Sequence, residues 1–119
     1  MRGVVVFFIR FLLLFFVIHS PFTVAFEHPS PFKIKAIYVS SPENFHFRVI
    51  SERPDSWHCH NGPLNPSWSY INNSDPGSKA MMSALLTAYA ANKTVTLVTI
   101  GVDTDVGRKC KIIEFQIGG

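Results

Sequence analysis

The sequence predicts a small, mainly β domain with one helix, in the order β-β-β-α-β-β. Short segments in which apolar and polar residues alternate recur along the chain, and proline, glycine or asparagine bounds each of them. One segment, residues 75–92, instead repeats its apolar residues at intervals of three and four, which is the spacing of an amphipathic helix. Together these two patterns set the predicted fold class.

The first 25 residues predict a secretory signal peptide. Arg2 precedes a strongly apolar run, and Arg10 interrupts it, so that its unbroken part covers only residues 11–18. A membrane-spanning helix needs about 20 apolar residues, which makes an uncleaved membrane anchor the less favoured alternative. Ala25 ends a small-residue stretch typical of a cleavage site. We therefore expect a secreted or periplasmic protein whose single domain covers residues 26–119.

The charge of this expected mature chain is nearly balanced. Residues 1–25 hold two of the eleven basic residues, which leaves nine against eight acidic ones and a net charge of +1. Lysine and arginine form no run along the sequence. This pattern gives no support for nucleic acid or an anionic membrane as a partner.

The first two strands are predicted at residues 33–40 and 45–50, joined by a turn at residues 41–44 as an antiparallel hairpin. Each segment begins with apolar and polar side chains in alternation. The residues that this alternation assigns to the buried face are Ile34, Ala36, Tyr38, Phe45, Phe47 and Val49.

A proline-rich loop follows, with a short extended piece around residues 57–60, and residues 67–72 predict the third strand. We expect the helix to begin after Asp75, whose carboxylate can cap its first turn, and to end at Asn92 in a left-handed conformation. The apolar face assigned to this helix consists of Met81, Met82, Leu85, Leu86 and Tyr89.

The last two strands are predicted at residues 93–100 and 110–117, with Ile113, Phe115 and Ile117 on the buried face of the second. A flat sheet of five short strands would leave long unpaired edges. Closing the strands into a small barrel, with the helix over one opening, removes most of them. The helix lies between the third and fourth strands, which is the order of the OB-fold, so the predicted architecture is a five-stranded OB-fold-like barrel.

The two cysteines, Cys59 and Cys110, are predicted to form one disulfide, because an exported chain with a single cysteine pair most simply oxidises it.

A metal site that uses His58 and His60 is an alternative. Residues that alternate along an extended segment point in opposite directions, so Cys59 would face away from both histidines. A zinc site needs three or four ligands, and the sequence has no second cluster, so we expect no metal or cofactor.

No catalytic residues are predicted, since the sequence has no phosphate-binding loop, no free-thiol and histidine pair, and no two carboxylates at a useful spacing. Aromatic and amide side chains offer a binding surface instead. Trp57, Trp68, Tyr70 and Asn61 are the candidate ligand-binding residues, because sugar rings stack on aromatic faces while their hydroxyls need polar neighbours. The alternative is that Trp68 or Tyr70 belongs to the core.

Three segments, "CHNGPLNPSWSY", "ALLTAYAANKTVTLVT" and "CKI", occur in this order between Cys59 and Ile117. In their order and spacing they resemble the B subunits of subtilase-cytotoxin-like and pertussis-like bacterial toxins, and related small secreted bacterial proteins. The resemblance implies an OB-fold, assembly into homo-pentamers, glycan binding and a catalytic A subunit as partner.

We therefore expect a non-enzymatic binding module. The alternative function is a monomeric exported protein, such as an accessory or inhibitor protein of the cell envelope. An oligomer would expose apolar side chains on the helix and on a strand, whereas a monomer would have a fully polar outer helix face.

Overall fold

The computed structural model describes residues 30–53 and 58–118. The predicted signal peptide and Trp57 lie outside these residues. The described elements are β1 (Phe32–Val39), β2 (Phe47–Ser51), β3 (Cys59–His60), β4 (Trp68–Ile71), helix α1 (Ser78–Ala90), β5 (Thr94–Thr104) and β6 (Gly107–Ile117). The predicted class is confirmed: within the described residues the fold is mainly β with one helix. The sheet has one strand more than predicted, the two-residue β3.

The strand pairings form a ring. β1 pairs with β2, β2 with β4 and β6 with β5, all antiparallel, whereas β4 and β6 are parallel. Phe32–Val95 and Lys33–Thr94 then join β1 to β5, and β3 adds to the same edge of the sheet through Cys59 and Thr99. A closed five-stranded barrel requires such a ring. The barrel form stays a prediction, and the two pairs between β1 and β5 support it.

The core lies between the inner face of the sheet and helix α1. Leu85 and Ala88 are the buried apolar residues of the helix, and Met81 and Met82 pack against the core from its margin. Burying one leucine or phenylalanine side chain stabilises the fold by about 1.5–3 kcal/mol. The buried cluster consists of Phe32, Ile34, Phe47, Val49, Ile71, Leu85, Ala88, Val95, Leu97 and Ile112.

A register shift in β1 makes part of the first-strand prediction wrong. The pairing with β2 skips a residue between Ile34 and Ala36, so the alternation of side chains reverses there. Ile37 packs against the core in place of Tyr38, which is 56% exposed. Ala36, also assigned to the buried face, is only half-buried. Phe45 precedes β2 in a left-handed conformation and takes no part in the core cluster.

A second shift changes β6 in the same way. Val98 pairs with Glu114 and Thr99 with Ile112, so that Ile113 is the extra residue of a bulge. Ile113 is 48% exposed, and the prediction that it faces inward is wrong. Ile112 is buried in its place. Phe115 packs against the core as predicted, and Ile117, at the end of the strand opposite the buried Val95, is 41% exposed.

The helix begins later than predicted and turns a different face to the core. Gly77 occupies the N-cap position and no side chain caps the helix, so the prediction for Asp75 is wrong. The buried stripe runs through Ser78, Leu85 and Ala88, which are spaced at helical intervals of three and seven. Leu86 and Tyr89 fall outside this stripe and are exposed, contrary to prediction.

Asn92 follows the end of the helix in a left-handed conformation, as predicted. Asn92 has φ 54°, its backbone N–H donates to the Tyr89 carbonyl, and the N–H of Lys93 donates to the Ala88 carbonyl. This is the Schellman arrangement of hydrogen bonds. The left-handed conformation is unfavourable by about 1–2 kcal/mol for most residues with a Cβ, and Asn and Asp tolerate it best. We therefore expect Asn92→Ala to lower the free energy of unfolding by about 1 kcal/mol. Asn92→Gly should change it by less, and urea unfolding of both variants measures the difference.

Candidate functional site: an aromatic and cationic face beside a cleft

The outer face of β1, β2, β4 and β6 carries aromatic and basic side chains at adjacent positions. Arg48 pairs with Tyr38 on one side and with Tyr70 on the other, and Tyr70 pairs with Lys111. Their neighbours in sequence, such as Val49 and Phe47, point into the core, and alternation therefore turns these residues outward. We call this surface the aromatic–cation face. It consists of Tyr38, Phe45, Arg48, Trp68, Tyr70, Lys109 and Lys111.

The cations of this face lie over aromatic rings. The Arg48 guanidinium carbon is 5.3 Å from the centre of the Tyr38 ring and 5.5 Å from that of Trp68. Lys109 Nζ is 5.4 Å from the Trp68 ring, and Lys111 Nζ is 5.5 Å from that of Tyr70. Each contact is favourable by about 0.5–2 kcal/mol, because the negative face of the ring attracts the charge. The rings therefore hold the basic groups in position on the sheet.

Phe45 covers the part of the aromatic–cation face around Tyr70. Its ring contacts Trp68 and Tyr70 edge to face, with centroid distances of 5.3 and 4.8 Å. The Ser40 hydroxyl donates to the Phe45 carbonyl at 3.1 Å, and His46 Nδ1 donates to the Ser40 carbonyl at 2.6 Å. These hydrogen bonds close the β1–β2 loop and hold Phe45 over Tyr70. Tyr70 is consequently only 2% exposed, although it points away from the core cluster.

An ion pair ties this region to the segment after β4. Lys111 Nζ lies 2.8 Å from Asp75 Oδ1, and Asp75 Oδ2 accepts the Asn72 backbone N–H, also at 2.8 Å. Both charged side chains are largely buried. This use of the Asp75 carboxylate explains why it does not cap the helix. It also fixes Asn72, whose side-chain oxygen accepts the His46 backbone N–H at 3.3 Å.

A cleft of about 440 Å³ opens beside the aromatic–cation face. The β1–β2 loop forms one wall through Glu43, Asn44 and Phe45, and residues 102–106, around the β5–β6 turn, form the other. Tyr70, Asn72 and Lys111 also line it. The cleft thus offers carboxylate, amide and ammonium groups beside the rings of Phe45 and Tyr70.

The structure brings together only some of the residues predicted to bind a ligand. Trp68 and Tyr70 lie side by side on the aromatic–cation face, with ring centroids 6.3 Å apart. Asn61 is not among the residues described as lining the cleft; its backbone carbonyl instead accepts a hydrogen bond from Arg108 Nε. Trp57 is outside the described residues.

The basic residues of the face were not among the predicted site residues. Arg48, Lys109 and Lys111 occupy outward positions in "FHFRVI" and "RKCKI". Their alternation with apolar residues is a signal that could have found them.

The predicted disulfide between Cys59 and Cys110 is confirmed. It joins β3 to β6, with the two Cα atoms 5.9 Å apart and both residues buried. Neither thiol is therefore available as a nucleophile or metal ligand. His60 is exposed and His58 half-buried, and the described residues contain no group of three His, Cys, Asp or Glu side chains able to hold a metal ion. The metal alternative at His58 and His60 needs a third ligand, which this part of the chain does not supply.

Burial raises the pKa of Tyr70 above its usual value of 10; the Asp75 carboxylate raises it further, and the Lys111 ammonium opposes both. We expect Tyr70 to ionise above its usual pH range in an ultraviolet titration. The folded state keeps the Tyr70 proton at a pH where the unfolded chain loses it, so stability should fall as pH rises above about 10. In Tyr70→Phe this component of the alkaline decline should disappear. An equal decline in both proteins would contradict the prediction.

No family model, curated protein or solved structure matches this chain. The resemblance to toxin B subunits therefore stays a prediction from the sequence. In the part of the chain that the structure describes, no helix has both the length and the hydropathy to cross a membrane.

Proposed function

We propose that this chain is a secreted, non-enzymatic binding module of the OB-fold type that binds a glycan in the cleft. The position of the cleft is the observation that carries this proposal. The cleft lies at the end of β4, between the β1–β2 loop and the β5–β6 turn. These correspond to the third strand and to the two loops that OB-folds use to bind oligosaccharides and oligonucleotides.

The chemistry of the cleft suits a sugar. The Phe45 ring offers an apolar surface for the C–H groups of a pyranose. The Asn44 and Asn72 side chains and the exposed Asp105 carboxylate can exchange hydrogen bonds with hydroxyl groups. Such a mixture of aromatic and polar groups is typical of sites that orient a small polar ligand.

The same residues disfavour nucleic acid in the cleft. Glu43, Asp103 and Asp105 all lie on its walls. Their carboxylates repel phosphate groups, whereas nucleic-acid affinity depends on cations that neutralise phosphates. This agrees with the nearly balanced charge expected for the mature chain.

The buried disulfide supports export, because such bonds persist in oxidising compartments. Assembly into a homo-oligomer is supported by exposed apolar side chains on two elements. Leu86 and Tyr89 are exposed on helix α1, and Val39 on β1. A pentamer and a catalytic A subunit are proposed from the resemblance alone. The alternative monomeric accessory protein predicts a single-subunit mass at micromolar concentration, which sedimentation velocity distinguishes from an oligomer.

A glycan panel tests the proposed function. We expect the mature protein to bind at least one member, and Phe45→Ala and Asp105→Ala each to weaken that binding about tenfold, which corresponds to about 1.4 kcal/mol. Leu64→Ala is the matched control, because Leu64 is 75% exposed and is not among the residues that line the cleft. If no glycan binds, or if all three variants bind equally well, the proposal fails.

A further inference from the structure

We propose that the aromatic–cation face is a second subsite of the same binding surface, and that it binds acidic groups of the glycan. The ligand is then a linear acidic polysaccharide, with carboxylate or sulfate groups on repeating sugars. This inference rests on the proposed function, since it assumes that a glycan occupies the neighbouring cleft.

Aromatic and basic side chains alternate across four neighbouring strands. Tyr38 on β1, Arg48 on β2, Trp68 on β4 and Lys109 on β6 form one row, in which each cation lies within 5.5 Å of an aromatic ring. Such a row lies across the strands, so a chain molecule can contact all of it at once. The row meets the cleft at Phe45, whose ring contacts Trp68.

The two cations of this row, Arg48 and Lys109, lie against aromatic rings and form no ion pair with a carboxylate of the described residues. Two neighbouring cations differ in this respect. Lys111 pairs with the Asp75 carboxylate and Arg108 with that of Asp103. A ring attracts a cation but leaves its net charge and many of its N–H donors in place.

Arg48 is the stronger candidate of the two cations. Its Nε is buried and has no hydrogen-bond partner in the described residues, while the residue as a whole is half-buried. A guanidinium that lies against aromatic rings keeps its in-plane N–H groups available for a planar anion. Carboxylate and sulfate oxygens accept such groups, often in pairs.

The extent of the row indicates a polymer. Arg48 and Lys109 converge on the Trp68 ring, with their charged groups 5.5 and 5.4 Å from its centre. The whole row crosses four strands from Tyr38 to Lys109, which is about 14 Å at the usual strand spacing. One carboxylate or sulfate covers only part of that length, whereas acidic groups on successive sugars of one chain can cover it. The acidic cleft takes an uncharged, hydroxyl-rich part of the same chain, because Glu43 and Asp105 would repel an anion there.

Single-stranded nucleic acid is a polyanion of another class, and the arrangement of the rings disfavours it. Such binding depends on open aromatic faces on which bases stack. Arg48 and Lys109 already lie over the Trp68 ring, and Tyr70 is almost fully buried. The face therefore presents charge more than stacking surface.

The test uses a panel of uronate-containing, sulfated and neutral polysaccharides with a dT oligonucleotide beside them. Calorimetry then measures the affinity of the glycan that binds most tightly and the affinity of its carboxyl-reduced or desulfated form. We expect the acidic form to bind at least tenfold more tightly than its neutralised form, and this difference to shrink as salt screens the charges. Arg48→Gln and Lys109→Gln should each lose several-fold affinity for the acidic form and leave the neutralised form unchanged. If Arg48→Gln fails to fold, Lys109→Gln alone tests the inference.

The outcomes separate the two proposals. Equal binding of the acidic and neutralised forms would overturn this inference and leave the proposed function standing. The oligonucleotide binding more tightly than every glycan would also overturn it, in favour of nucleic acid. If no glycan binds, the proposed function itself fails.

Discussion

Replacing both cysteines of the Cys59–Cys110 disulfide by alanine lowers the free energy of unfolding by about 4 kcal/mol. The bridge joins residues that are 51 apart in sequence, and in the chain-entropy model the cost of closing so long a loop has that size. The expected loss is comparable to the whole stability of a small domain. Urea unfolding of Cys59→Ala/Cys110→Ala against the wild type measures it.

Chemical reduction of the wild-type protein is the matched control, because it opens the same bridge without removing the sulfur atoms. It should cause a similar loss. Thiol titration of the unreduced, denatured protein should find no free thiol. Two free thiols, or a loss under about 1 kcal/mol in both experiments, would show that the bridge does not stabilise the fold as described.

Gly101→Ala is expected to lower the free energy of unfolding by about 2–3 kcal/mol, which is the usual effect of forcing extra atoms into a well-packed site. A Cβ at this position would lie 2.2 Å from the Asn61 carbonyl oxygen and 2.7 Å from the Gly62 Cα. Both contacts are with backbone, and Gly101 pairs with Cys110, to which the disulfide ties Cys59. The segment after β3 therefore cannot move away easily.

Two comparisons make this prediction specific. Val98→Ala on the same strand should cost less than about 1 kcal/mol, since Val98 is partly exposed. In the protein without the disulfide, Gly101→Ala should lower the free energy of unfolding by less than it does in the wild type, because residues 61–62 can then shift. Urea unfolding of all four proteins measures both differences. If the two differences are equal, the disulfide does not hold residues 61–62 against Gly101.

The predictable part of the fold is the part that depends on local patterns. Alternation placed the strands, and the Asn92 stop was predicted correctly because its left-handed conformation is local to the helix end. The wrong burial assignments of Tyr38 and Ile113 arise at Lys35 and Ile113, where register shifts reverse the alternation. A bulge depends on how two strands pair, and nothing in the spacing of one strand reveals it.

The candidate site was predictable only in part, for a related reason. Trp68 and Tyr70 were found because aromatic residues stand out in one segment of sequence. Arg48 and Lys109 come from two other strands, and only the pairing of β2, β4 and β6 brings them to the same rings. Asp75 was misassigned because its position before a helix suggests a cap, whereas Lys111 on a distant strand takes its carboxylate.

A glycan that binds where the cleft meets the aromatic–cation face should perturb residues of both surfaces. Backbone amide shifts of the ¹⁵N-labelled mature protein, recorded while the tightest-binding glycan of the panel is added, test this position directly. We predict saturable shift changes at Phe45, Asn72 and Asp105 in the cleft and at Arg48 and Lys109 on the face. Changes confined to helix α1 or to the outer surface of β5 would contradict binding at this position.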